Sequence, residues 1–149
     1  MFKTFAVITL LTASSFASAN TTSDQCATLD KQQAAMLFDR WNDALKTGDS
    51  SKVAANYTAD AVLLPTLSNQ PRTDLAGKLD YFNHFLENKP VGTVDSSTVM
   101  TSCNTAIDTG LYTFRFNDHS SVKARYTFTY THVDNQWLIT SHHSSAMPE

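Results

Sequence analysis

Residues Val122, Ala124, Tyr126, Phe128 and Tyr130 alternate without a break with Lys123, Arg125, Thr127 and Thr129. Side chains of a strand point alternately to its two faces, so this run is a β-strand with one aromatic face and one polar face. A two-residue turn at Asp134-Asn135 then leads into a partner strand, Trp137 to Ser145. With that turn, straight pairing sets Tyr130 opposite Ile139, Phe128 opposite Ser141 and Tyr126 opposite His143. A sheet with one apolar face must bury it under something.

The cover is supplied upstream. Ala34, Leu37, Phe38, Trp41 and Leu45 form one stripe of a 3.6-residue period, and Gly48 suits the position after the helix end. Asp49 to Ser51 can cap a short second helix running to Tyr57. Ala61 to Leu64 reads as a short strand ended by Pro65, followed by a polar loop from Thr66 to Thr73. Asp74 can cap a third helix carrying Leu75, Leu79, Phe82 and Leu86, with Pro90 and Gly92 at its end. Thr93 to Thr101 and Asn104 to Phe116 read as further strands. Helices first and antiparallel strands after give an α+β domain.

The N-terminus addresses the compartment. Lys3, the apolar run Phe5–Leu11 and Ala17-Ser18-Ala19 have the order of a secretory signal peptide, so the expectation is cleavage after Ala19 and a periplasmic or secreted domain over 20–149. The run is too short to span a bilayer, which needs about 20 apolar residues, so no membrane association is expected after cleavage. The net charge of −3 and the lack of a basic cluster argue against a nucleic-acid partner. Cys26 and Cys103 are the chain's two cysteines. In an oxidising compartment an even count invites a disulfide, and two buried free thiols are the alternative.

Three stretches carry a family resemblance: Tyr57-Thr58-Ala59-Asp60-Ala61-Val62-Leu63-Leu64-Pro65, Asp134-Asn135-Gln136-Trp137-Leu138-Ile139, and the tail His142-His143-Ser144-Ser145-Ala146-Met147-Pro148. Together they resemble the association domain of calcium/calmodulin-dependent protein kinase II, within the nuclear-transport-factor-2-like superfamily. The resemblance implies a cystatin-like cone, a curved antiparallel sheet wrapped around a long N-terminal helix, with a pocket inside. It also implies self-assembly into a homodimer or larger. The chain carries no kinase motifs and no basic amphipathic helix, so neither kinase activity nor a calmodulin partner is expected.

The resemblance also suggests where chemistry would sit. Steroid-isomerase-like proton transfer on this fold implies a carboxylate just before the first strand's proline, but Leu64 stands there. The kinase domain's basic pocket residues are matched here by Tyr112, Phe128 and Ser144. His142 and His143 are adjacent on a strand and point to opposite faces, so no metal site is expected from them with His132, and no cofactor is implied. Ser141, Ser144 and Ser145 beside them lack a nucleophile turn. A small-ligand pocket lined by Trp41, Tyr57, Tyr81, Tyr112, Tyr126, Ser141 and His143 is the expectation, the alternative being that these aromatics are only core. A small isomerase, cyclase or hydrolase using Tyr126 and His143 as acid and base is the rival reading.

Overall fold

The computed structural model describes residues 26–66 and 68–148. The signal-peptide reading of residues 1–19 and the polar start of the expected mature chain lie outside the described residues. Helix α1 (Lys31–Lys46) opens on a capping box: Asp30 Oδ1 accepts from the Gln33 amide, and Gln33 Oε1 accepts from the Asp30 amide. Its stripe of Ala34, Phe38, Trp41 and Leu45 is buried. Helix α2 (Ser50–Ala54) stops short of the expected end at Tyr57, because the Asn56 side-chain Nδ2 donates to the carbonyls of Lys52 and Val53 and closes the turn. Tyr57 instead begins strand β1 (Tyr57–Leu64), which starts four residues before the expected Ala61.

Helix α3 (Leu75–Leu86) is capped by Asp74, which accepts from the Gly77 amide. Leu75, expected on its apolar side, is exposed, while Phe82 and Leu86 are buried. Lys78 is the reversal: it is only 1 % exposed. β1 is out of regular register between Tyr57 and Val62, and Lys78 Nζ donates to the carbonyl oxygens of Ala61 (2.8 Å) and Ala59 (3.4 Å) in that interval. The ammonium thus satisfies the buried Ala61 carbonyl, which the irregular stretch leaves short of a strand partner.

Strands β2 (Val91–Ser102), β3 (Thr105–Arg115), β4 (Ser121–Val133) and β5 (Gln136–Ala146) complete one sheet in the order β1-β5-β4-β3-β2. All neighbours are antiparallel except β1 and β5. Gly92, expected as a helix stop, lies inside β2, where its amide and carbonyl are both bonded to the buried Asn42 side chain of α1. Gly110 is required by space: a Cβ there would stand 1.9 Å from the Ser96 carbonyl oxygen, at the bulge between Val94 and Ser96. The turn at Asp134-Asn135 has φ of 50° and 60°, the left-handed pair that a tight hairpin needs.

One face of the sheet packs on α1 and α3 through Ala106, Tyr112, Phe114, Ala124, Phe128, Tyr130 and Ile139. Trp41 sits at the centre, edge-on to Phe82, Phe114 and Phe128 with ring centroids 5.6–6.5 Å apart. Cys26 and Cys103 form a disulfide, with Cα atoms 4.6 Å apart, that ties the segment before α1 to the β2–β3 turn. Paired backbone and side-chain bonds between Ala27 and Asn104 flank it. Among the described residues, no helix is long and apolar enough to cross a membrane.

Candidate functional site

A bulge in β5 decides which residues reach the interior. Tyr130 pairs with Ile139 as expected, but the next pair is Thr129 with Ser141. Thr140 is the extra residue, and its hydroxyl donates to the Thr129 carbonyl. Beyond it every pairing is one residue off the straight register: Phe128 stands opposite His142, Thr127 opposite His143 and Tyr126 opposite Ser144. Ser141 and His143, expected in the pocket, therefore fall on the outer face, and His143 is exposed. His142, expected on the outer face, is buried, as is Ser144. A single bulge exchanges the two faces of everything after it.

The interior residues form a connected chain. Trp41 Nε1 donates to Tyr57 Oη at 3.0 Å, and Tyr57 Oη lies 2.9 Å from His142 Nδ1. With the indole donating to Tyr57, placing the Tyr57 hydrogen on Nδ1 is the assignment that strands no hydroxyl in the interior, and it leaves the imidazole hydrogen on Nε2. Nε2 faces Tyr112 Oη at 3.5 Å, and the Tyr112 hydroxyl donates to Ser144 Oγ at 2.6 Å. Ser144 Oγ and Thr66 Oγ1 are 2.5 Å apart. The imidazole stacks on Phe128, 4.0 Å between centroids, and meets Trp41 edge-on.

Burial, reinforced by the neighbouring His143, lowers the His142 pKa to about 3. The imidazole is uncharged at neutral pH. Burial also raises Tyr57 and Tyr112 well above the ordinary phenol value, and Tyr81 to about 12.

These groups stand at the end of an apolar cavity of about 260 Å³. Of the expected lining residues, Trp41, Tyr81 and Tyr112 border it. Tyr57 lies behind the imidazole and positions it. Tyr126 is buried away from the cavity, its hydroxyl donating to Asp108 Oδ2 (3.1 Å), with the Ser96 carbonyl oxygen at 3.3 Å. Asp108 also accepts from Ser97, and burial raises its pKa above the usual carboxylate value. The proposed Tyr126–His143 acid–base pair is thus split between the two faces of the sheet. Thr66, Phe85, Phe114, Phe116, His142 and Ser144 border the cavity and were missing from the expected lining. The alternation of β3 places Phe114 beside Tyr112, and that signal was readable; the bulge that delivers His142 and Ser144 has no mark in the sequence. Among the described residues, no group of three or more His, Cys, Asp or Glu side chains is arranged to hold a metal ion.

A curved sheet packed over the apolar stripe of a long first helix, with a cavity between sheet and helices, is the nuclear-transport-factor-2-like or cystatin-like class of α+β fold. Within that class the chain belongs to the calcium/calmodulin dependent protein kinase II association domain family, whose sequence model matches residues 30–148. A solved structure from Xanthomonas campestris, described as an association domain of this kind, is 45 % identical, with a TM-score of 0.77 over 83 % of this chain and 95 % of that one. An NTF2-like protein from Pseudomonas putida shares the fold at 18 % identity and a TM-score of 0.69, covering 80 % of this chain and 87 % of its own. A cystatin-like protein from Nostoc punctiforme does so at 13 % identity and a TM-score of 0.69, covering 80 % and 92 %. No curated protein matches the chain.

Proposed function

We propose that the chain is an exported, self-assembling association-domain module that holds a small molecule in its cone. The observation that carries assembly is the outer face of the sheet. Thr109, Leu111, Arg125, Thr127, Thr129 and Ser141 lie on the side away from α1 and α3, and Thr109, Thr127, Thr129 and Ser141 are only partly exposed even in the single chain. A broad, threonine-rich surface with few charges can join two copies through hydrogen bonds and modest apolar burial, and two-fold dimers are the commonest closed assembly. Family membership supports the same reading. The cavity, with aromatic walls and a few polar groups at one end, supports ligand binding. Export rests on Lys3, the apolar run and Ala17-Ser18-Ala19.

Sedimentation equilibrium at micromolar concentration tests assembly: a multiple of the chain mass is expected, and a monomer overturns it. Intact mass of protein recovered from its native compartment tests export. The expected product begins at Asn20, and a mass retaining residues 1–19 refutes the cleavage.

A further inference from the structure

The polar hydrogens around the cavity can be assigned one by one. Trp41 Nε1–H goes to Tyr57, Tyr57 O–H to His142 Nδ1, His142 Nε2–H towards Tyr112, and Tyr112 O–H to Ser144. Ser144 and Thr66 share one further hydrogen bond. Whichever of the two hydroxyls donates in it, the hydrogen of the other has no acceptor within the network. Both hydroxyls border the cavity. The chain of donors therefore ends in one unspent O–H facing an apolar space.

We propose that the cavity takes a neutral, flat, largely apolar molecule of one or two rings, held by a single acceptor oxygen such as a ketone that receives the spare hydrogen of the Ser144–Thr66 pair. The inference rests on the ligand-pocket reading above and gives that ligand a chemical class.

The walls set the shape. Tyr81 and Phe85 are stacked, with centroids 5.7 Å apart, and Phe85 meets Phe114 edge-on at 5.5 Å. Aromatic faces of this kind suit a flat ring. A cavity of about 260 Å³ lies below the range of drug-sized sites, roughly 300–1,000 Å³. Charge is excluded by what lines the space. No lysine or arginine borders it among the described residues; of the two imidazoles that do, His142 is buried and stays uncharged, and His84 is exposed at the rim, away from the Ser144–Thr66 pair. A carboxylate entering would lose its water without gaining a cation. A pure hydrocarbon would enter, but it would leave the terminal hydroxyl unpaired.

Three matched probes separate these cases by equilibrium dialysis against the purified protein: 2-acetylnaphthalene, its anionic counterpart 2-naphthoate, and its oxygen-free counterpart 2-isopropenylnaphthalene. The ketone is expected to bind about tenfold or more tighter than either of the others, the increment of one hydrogen bond or one unpaired buried charge. Thr66→Val combined with Ser144→Ala only hands the spare hydrogen back to Tyr112, which also borders the cavity, so the ranking of the three probes on the unaltered protein carries the test. Val122→Trp, at the half-exposed mouth, is expected to weaken all the probes. Naphthoate binding as tightly as the ketone, or ketone and alkene binding equally, overturns the proposed ligand class and leaves a ligand pocket standing. Failure of all three probes to bind overturns both the class and the pocket reading, whereas assembly is judged separately by sedimentation.

Discussion

Tyr57 and His142, 85 residues apart in sequence, are joined by a hydrogen bond of 2.9 Å that orients the buried imidazole at the cavity. Tyr57 can serve in this way because Trp41 occupies its lone pair from the other side. The three side chains come from α1, β1 and β5, so the contact also locks helix to sheet.

Tyr57→Phe removes the hydroxyl and leaves both the indole N–H and the imidazole Nδ1 without partners in a buried place. The expected loss of stability is about 2–3 kcal/mol, read from urea unfolding with an unchanged m-value. A loss below about 0.5 kcal/mol, the range of an ordinary surface substitution, would mean that the contact contributes little.

His142 gives stability a pH dependence of known sign. Its folded pKa, about 3, lies below the unfolded value of 6.5, so between them the unfolded chain binds the extra proton. The contribution of the neutral imidazole is complete above about pH 6.5 and is lost as pH falls towards 3, at up to about 1.4 kcal/mol per unit. Asp108, with its pKa raised, acts in the opposite direction, so the comparison is made against His142→Phe. The wild type is expected to be the more stable at pH 8, and its advantage should shrink towards pH 4. A gap that does not change with pH would refute the assignment.

Gly110→Ala places a methyl group against the Ser96 backbone, which cannot swing aside as a side chain would. Gly48, at φ 71° with nothing within 4 Å of its missing Cβ, meets only backbone strain. Gly48→Ala is expected to cost about 1 kcal/mol, and Gly110→Ala clearly more. Thermal melts of the two variants side by side check the order, and equal losses would show that β2 yields easily.

Breaking the Cys26–Cys103 bridge, which closes a separation of 77 residues, is expected to cost about 4 kcal/mol on the chain-entropy account. Unfolding with and without reductant measures it. Free thiols in exported protein under denaturing alkylation would remove the premise.

Leu111→Arg sets a second guanidinium opposite Arg125 on the outer face, where Leu111 is 37 % exposed. The expected outcome is a shift towards monomer in sedimentation with little change in monomer stability. An unchanged assembly would move the interface elsewhere.

The helical stripe of α1, the alternation of β4 and the turn at Asp134-Asn135 were all legible, because each depends on local periodicity or on one backbone conformation. They were enough for the fold and for Trp41 at the cavity, whereas Tyr81 and Tyr112 entered the expected lining with the pocket that the resemblance implied. What escaped depends on distant partners. Lys78 reads as a solvated helix residue until the irregular stretch of β1 offers it carbonyls. Tyr126 reads as a pocket residue until Asp108 claims its hydroxyl. His143 was placed inside by a correct turn and an unbroken count of two, and the bulge at Thr140 broke the count.

That bulge also bears on how relatives are compared. Pairing across it skips Thr140, so a strand lacking that one residue would keep Ser144 opposite Tyr126 and His142 opposite Phe128. A relative with a straight β5 is then one residue shorter between the hairpin turn and the pocket, and an alignment without a gap there would match its interior histidine to the outer-face Ser141. Homologous positions in this tail are set by distance from Ala146, not from the turn.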